Sequence, residues 1–245
     1  MRNFRIILFT LLSVCSLTVR GASDLNSVLE RGRDLFGYGR WSDARHEFLR
    51  ARALLDPADR AAREEIDYYL AACAVELGSG DAEGALRDFE RRHPGSVYAN
   101  DVRFSLGSYY CAVGNMPLAR EAFERTEYKA LSAPRREQYD IRMGYVEFTQ
   151  GDYAAAYDRF SRIGSRSEYA DHALYYRSYI DYAEGRYDRA KEGFTQLTRS
   201  DAYRDLVPFY LLQIEFRNGN YRYVVDHGEE LVRKAVPERQ AELER

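Results

Sequence analysis

The stretch that decides the fold is residues 106–123, LGSYYCAVGNMPLAREAF. Its first part carries apolar side chains at helical spacing, from Leu106 to Val113. Gly114 then interrupts the pattern, and Pro117 lies in the first turn of a second helical segment. Glycine readily adopts the positive φ that ends a helix, and proline is tolerated where a helix begins. The stretch therefore predicts a helix, a tight turn and a second helix that packs back against the first.

This helical pair recurs along the chain. In each copy a glycine is followed five residues later by alanine, and four residues after that by phenylalanine. The copies are Gly39/Ala44/Phe48, Gly80/Ala85/Phe89, Gly114/Ala119/Phe123, Gly151/Ala156/Phe160 and Gly185/Ala190/Phe194, with a degenerate sixth, Gly219/Val224/Gly228. Successive glycines are 41, 34, 37, 34 and 34 residues apart. Such a period indicates stacked helical hairpins, because one hairpin alone cannot shelter its apolar face from water.

The repeat resembles the tetratricopeptide repeat in its period and in two further positions. The residue two after the turn glycine is Trp41, Ala82, Met116, Tyr153, Tyr187 or Tyr221. The residue seven before it is Gly32, Cys73, Gly107, Gly144, Ser178 or Leu212, which is small in five of the six copies. The resemblance implies an all-α fold, a right-handed α-solenoid of about six helix–turn–helix repeats over residues 22–236.

The predicted repeat units cover residues 25–57, 60–94, 98–131, 137–165, 168–199 and 203–235, each boundary being approximate. No segment is rich enough in Gly, Ser or Pro to form an interdomain linker, so we expect a single elongated solenoid. Residues 237–245 are expected to begin a further helix. Two interpretations stay open: a polar capping helix, or the start of another repeat in a longer protein. The short segment favours the second.

Residues 1–21 have the pattern of an export signal. Arg2 and Arg5 precede the mostly apolar residues 6–19, and cleavage is expected after Gly21. The apolar run is shorter than the roughly 18–20 residues of a membrane-spanning helix. An uncleaved anchor and lipidation at Cys15 are the alternatives. The expected location is the periplasm or cell envelope, and any membrane contact would be made through this N-terminal segment.

Charge and residue spacing argue against several classes of function. Cleavage would remove three arginines and no acid, which changes the net charge from −3 to −6 and disfavours nucleic-acid binding. The four histidines are far apart and no cysteine pair has CxxC spacing, so we expect no metal site and no cofactor. Cys73 and Cys111 are expected to be buried thiols. No phosphate loop, nucleophile elbow or convergent acid–base cluster is apparent, and we expect no enzymatic activity.

The remaining candidate is a surface on the first helices. Residues ten, six and three before each turn glycine share one helix face. From the third unit onward they are Phe104, Ser108, Cys111, Ile141, Tyr145, Phe148, Tyr175, Tyr179, Tyr182, Phe209, Gln213 and Phe216. The family resemblance implies that this face lines a concave groove, and its aromatic members are the candidate protein-binding residues. The competing interpretation is that these side chains pack into the core, with acidic neighbours at 147, 181 and 215 on the outside.

The sequence therefore predicts an exported scaffold that binds an extended or helical segment of a protein partner in the cell envelope. Resemblance to periplasmic proteins with such repeats favours envelope organisation. Two alternatives remain: an assembly factor for outer-membrane proteins, and the non-catalytic arm of a larger enzyme. Fold-level resemblance alone does not separate these functions.

Overall fold

A computed structural model describes residues 24–234 of the 245-residue chain. The expected export signal, Cys15 and the helix expected at 237–245 lie outside the described residues. Within residues 24–234 the secondary structure is helical and contains no strand. The prediction of an all-α fold is confirmed.

Twelve helices and one 3-10 turn are seen in the described part of the chain. They are α1 (24–37), α2 (Trp41–Leu54), α3 (Arg60–Glu76), α4 (Ala82–Arg92), α5 (Ala99–Ala112), α6 (Met116–Glu124), the 3-10 turn Tyr128–Ala130, α7 (Ala133–Thr149), α8 (Tyr153–Ser161), α9 (Ala170–Ala183), α10 (Tyr187–Leu197), α11 (Val207–Arg217) and α12 (Tyr221–Lys234). Odd-numbered helices are the first and even-numbered helices the second of each repeat.

The chain divides into two compact units, the first ending at Leu131 and the second beginning at Ser132. In the first unit α2 to α6 pack consecutively along the chain, and α3 also contacts α5. In the second unit the same consecutive packing joins α7 to α12. Each first helix therefore contacts its own second helix and the helix that precedes it within the unit.

Turn glycines end the first helices. Positive φ occurs at Gly39, Gly78, Gly114, Gly151, Gly185 and Gly219. The prediction of a turn at Gly80 is wrong, because α3 ends two residues earlier than the repeat pattern indicates. Gly78, with φ of 60°, occupies the turn, and Ser79 N–H donates to the carbonyl of Ala74 at 2.9 Å. That bond satisfies an otherwise unpaired carbonyl at the helix end.

The repeated alanine and phenylalanine form the seam between paired helices. Phe48, Phe89, Phe123, Phe160 and Phe194 are all fully buried, as are Ala44, Ala119, Ala156 and Ala190. Ala85 is only half-buried, and Ala82 and Leu86 are buried on either side of it. The predicted close approach at the alanine therefore holds in the repeats with the shorter turn.

A small residue on the first helix makes room for each ring. A Cβ placed on Gly107 would lie 2.6 Å from Phe123 Cδ1, and one on Gly144 would lie 2.8 Å from Phe160 Cε1. The sixth repeat exchanges the sizes: Leu212 occupies the first-helix position, and Gly228 replaces the phenylalanine. A Cβ on Gly228 would lie 3.9 Å from Leu212 Cδ2. The large side chain in the seam therefore comes from the second helix in the first five repeats and from the first helix in the sixth.

Within residues 24–234, no helix has both the length and the apolar character that crossing a lipid bilayer requires.

Candidate functional site

Most of the candidate binding residues lie on the first helices of the second unit, and six of them are half-buried. These six are Tyr145, Phe148, Tyr175, Tyr179, Tyr182 and Phe209. A half-buried ring packs one part against the protein and leaves another part in solvent. Each of these six rings therefore contributes partly to the core and partly to the surface, so that neither interpretation drawn from the sequence applies to the whole ring.

Tyr210 of α11 is the centre of this aromatic cluster, and it is itself buried. Its ring stacks on Phe194 with centroids 4.8 Å apart. Tyr179 and Tyr182 each lie 5.7 Å from it in edge-on geometry, and Tyr175 lies 6.2 Å away. Edge-to-face and offset pairs at these distances are favourable beyond simple burial. Tyr210 therefore holds the three tyrosines of α9 as one row.

The cluster continues onto α7 through Phe148. Its ring lies 5.3 Å from Tyr179 and 4.8 Å from Tyr176, both edge-on. Tyr145 lies 5.7 Å from Tyr176, whose ring stacks on Phe160 at 5.1 Å. The second unit therefore presents a continuous aromatic surface across α7, α9 and α11, supported from beneath by the phenylalanines of the seam.

Hydroxyl groups fix the orientation of the row. The Tyr175 and Tyr210 hydroxyl oxygens lie 3.2 Å apart. The Tyr182 hydroxyl donates to Oε1 of Gln213. Burial raises the pKa of Tyr182, and it raises the pKa of Tyr203 to about 12, so both phenols are neutral donors at physiological pH. The arrangement offers apolar ring faces together with hydrogen-bonding groups, which suits contact with a peptide.

The other two candidate residues are placed differently. Phe216, at the end of α11, is 56% exposed and lies 5.5 Å from the equally exposed ring of Tyr221. Phe104 of α5, in the first unit, is 4% exposed and lies 6.1 Å from Phe123. Phe104 is therefore a core residue of the first unit, and Phe216 is a solvent-exposed residue of the second unit.

Three acidic residues of the first helices are more deeply buried than the aromatic row beside them. Glu147, Asp181 and Glu215 are 3%, 4% and 6% exposed. Their partners are Arg159 (Nε to Oε1, 3.2 Å), Arg186 (Nε to Oδ1, 2.6 Å) and Lys191. The backbone carbonyl of each acid also accepts the N–H five residues later, across the turn glycine. The backbone bonds hold the turns, and the outward-facing position that the core interpretation gave these acids is wrong.

No set of three or more His, Cys, Asp or Glu side chains in residues 24–234 is positioned to hold a metal ion. Cys73 is buried, and burial raises the pKa of its thiol to about 11, which makes it a poor nucleophile at neutral pH. Cys111 is half-buried.

No protein-family model matches the chain, and no curated protein matches it. Fourteen chains of solved structures do match. A crystal structure described as a tetratricopeptide repeat protein from Parabacteroides merdae has a TM-score of 0.56 at 15% identity, over 87% of this chain and 80% of that one. The Cut9–Hcn1 hetero-tetramer of the APC/C has a TM-score of 0.54 at 17% identity. That match covers 90% of this chain but only 42% of the other.

Proposed function

We propose that this chain, which has the tetratricopeptide-repeat fold, is a non-catalytic scaffold that binds a segment of a protein partner. The binding surface is the aromatic row on α7, α9 and α11. The main support for this proposal is the order of three tyrosines, Tyr175, Tyr179 and Tyr182. The buried ring of Tyr210 and the side chain of Gln213 orient them, while part of each ring stays in solvent. Ordered tyrosines of this kind lose little conformational entropy when a partner binds.

The partner is an extended or helical protein segment. The aromatic surface is spread over three helices, α7, α9 and α11. It matches the extended surfaces that stacked helical repeats use for macromolecules. The match to a chain of the Cut9–Hcn1 structure supports this proposal, because that structure is a hetero-tetramer of protein chains.

We propose that the protein acts in the periplasm or cell envelope, because residues 1–21 have the pattern of an export signal. Expression of the full chain in a bacterium with an outer membrane, followed by N-terminal sequencing, tests this part. A mature chain that begins at Ala22 in the periplasmic fraction is the expected result. An intact Met1 in the cytoplasm would overturn the export proposal and leave the binding surface untouched.

The binding surface is tested by photo-crosslinking. A benzophenone amino acid at 179 in the full chain should capture discrete envelope proteins. Capture should be lost when Tyr175 and Tyr182 are changed to alanine, and retained when the exposed Tyr38 is changed to alanine. Circular dichroism and the thermal midpoint control for folding. Equal capture by the folded Tyr175→Ala/Tyr182→Ala variant would refute the aromatic row as the binding surface.

The two alternatives give distinct results in the same experiment. Captured unfolded outer-membrane proteins would favour an assembly factor over an organising scaffold. A captured enzyme, or a catalytic domain encoded beyond residue 245, would favour the non-catalytic arm of a larger enzyme.

A further inference from the structure

A second candidate site lies in the first unit, on the face made by the second helices. A cavity of about 570 Å³ opens between α4 and α6, with α5 as its floor. Its size is within the range of sites that bind peptide side chains or small ligands. It belongs to different helices from the aromatic row, and it is independent of the function proposed for that row.

The floor of this cavity is apolar. Leu106 of α5 and Ala122 of α6 are buried there, at 4% and 5% exposure. Leu118 and Pro94 complete the apolar lining. The floor can therefore accept an aliphatic side chain from a partner.

Four arginines surround the floor: Arg87, Arg91, Arg103 and Arg125. Arg103 Nε donates to Glu90 Oε1 at 3.1 Å, and Arg125 Nη2 donates to the same oxygen. One carboxylate therefore serves two guanidinium groups, each of which has five N–H donors. A further carboxylate placed here would allow each guanidinium group to pair with a carboxylate of its own.

The lining of the cavity has more basic than acidic side chains, whereas the first unit as a whole is acidic. Its lining has four arginines and two glutamates. Residues 24–131 as a whole carry 15 basic and 19 acidic side chains. Arg87 and Arg91 already pair with acids of α4, at 3.2 Å from Glu83 and 2.7 Å from Asp88. A short acidic ligand would therefore be attracted to Arg103 and Arg125, which share one carboxylate, whereas a long polyanion would be repelled by the rest of the unit.

We propose that this cavity binds an acidic, leucine-bearing segment of a partner protein. An Asp or Glu of that segment pairs with Arg103 and Arg125, and a neighbouring leucine covers Leu106 and Ala122. The apolar floor and the glutamates in the wall favour such a peptide over a nucleic acid, whose affinity comes mainly from phosphate contacts.

The equivalent positions of the α9–α10 repeat lack the apolar floor. There Arg177, Arg189 and Gly193 stand where the first unit has Leu106, Leu118 and Ala122, counted from the same turns and helix starts. They line a smaller cavity of about 300 Å³. The proposed specificity for leucine is therefore absent from the α9–α10 repeat.

Fluorescence anisotropy on the full chain tests the proposal with three probes. The first is a labelled twelve-residue peptide of Asp-Leu-Glu repeats, the second is its Asn-Leu-Gln counterpart, and the third is a single-stranded DNA of similar length. We expect the acidic peptide alone to bind saturably at low salt. Arg103→Gln with Arg125→Gln should weaken that binding at least about tenfold, since charge-assisted hydrogen bonds are lost.

Two further variants keep the test independent of folding defects. Leu118→Glu places a carboxylate beside the arginines and should also abolish binding. It lies in the first turn of α6, where Asn115 caps the helix and a negative charge is favourable. Arg40→Gln with Arg50→Gln makes the same charge change at exposed sites of the first unit and should leave the affinity within about twofold.

Several results would overturn the proposal. They are no saturable binding below about 1 mM peptide, equal binding of the uncharged peptide, equal or tighter binding of DNA, or the same loss in both arginine pairs. Loss of peptide binding without loss of photo-crosslinking at 179 would separate this site from the aromatic row.

Discussion

The ring of Phe160 lies directly on the backbone of Gly144, so that a methyl group there would come within 2.8 Å of Phe160 Cε1 and 3.2 Å of Arg159 Cβ. Gly144→Ala should therefore lower the free energy of unfolding. Overpacking costs about 1–3 kcal/mol, which exceeds the gain of up to about 1 kcal/mol in helix propensity. Urea denaturation measures the difference.

Gly84→Ala is the matched control. Gly84 lies inside α4 and has no neighbouring atom within 4 Å of an added Cβ. Here only the propensity gain remains, and stability should rise by about 0.5–1 kcal/mol. Equal effects of the two substitutions would contradict the described contact between Gly144 and Phe160.

Phe160→Ala should remove a fully buried ring and leave a cavity. The expected loss of unfolding free energy is about 3–5 kcal/mol. Phe216→Ala, at a ring that is 56% exposed, should change stability by no more than about 0.5 kcal/mol. Thermal and urea unfolding of both variants give the comparison, and a small effect at Phe160 would argue against its place in the seam.

Gly78 and Gly80 give a test of the second turn. Gly78→Ala forces a positive φ on a residue with a Cβ and should cost about 1–2 kcal/mol. Gly80 does not have a positive φ, and no atom lies within 4 Å of an added Cβ. Gly80→Ala should therefore be neutral or slightly stabilising. If Gly80→Ala were more destabilising than Gly78→Ala, the turn would instead lie at Gly80, the position that the repeat pattern indicates.

Glu215 should make stability depend on pH in the acid range. Hydrogen bonds from Lys191, and then from Asn220, lower the pKa of Glu215 below its ordinary value near 4.5. The unfolded chain then binds this proton at higher pH than the folded chain. The stabilisation is present above the unfolded pKa and is lost as the pH falls through the lower folded pKa.

Titration of the Glu215 side-chain carboxyl by NMR measures this pKa. Lys191→Met should raise the pKa of Glu215, because the hydrogen bond from Lys191, which lowers that pKa most, is removed. Lys129→Met, at a lysine of the other unit, should leave it unchanged. A Glu215 pKa that does not respond to Lys191→Met would rule out the described pairing.

Periodicity was sufficient to predict the helical hairpins and five of the six turns, because glycine at a fixed interval has one dominant local explanation. It failed at Gly80, where a two-residue shift of the helix end placed Gly78 in the turn instead. Two glycines so close in sequence satisfy the same local rule. The choice between them depends on how α3 packs, which the sequence pattern alone does not specify.

The candidate surface was less predictable. Helical spacing assigned the aromatic residues to one face of the first helices, but it did not identify Tyr210, whose ring joins three of them. Nor did it place Glu147, Asp181 and Glu215 inside, because acidic residues are normally assigned to solvent. Their burial depends on basic partners that are five to 24 residues away.

The cavity between α4 and α6 was also not foreseen. Arginines and glutamates three or four residues apart have the usual appearance of a solvated helix face. Only the packing of three helices shows that Arg103 and Arg125 share one carboxylate above an apolar floor.

In the last hairpin the large residue, Leu212, is on the first helix and the small residue, Gly228, is on the second, which reverses the arrangement of the other repeats. The helices of this hairpin therefore cannot be exchanged with those of the others. Were α12 to dock on α7 in place of α8, two glycines would face each other across an empty space. Were α8 to dock on α11, a leucine and a phenylalanine would collide. Leu212 and Gly228 therefore make α11 and α12 sterically compatible with each other but not with the helices of the other hairpins, which disfavours mispairing during folding.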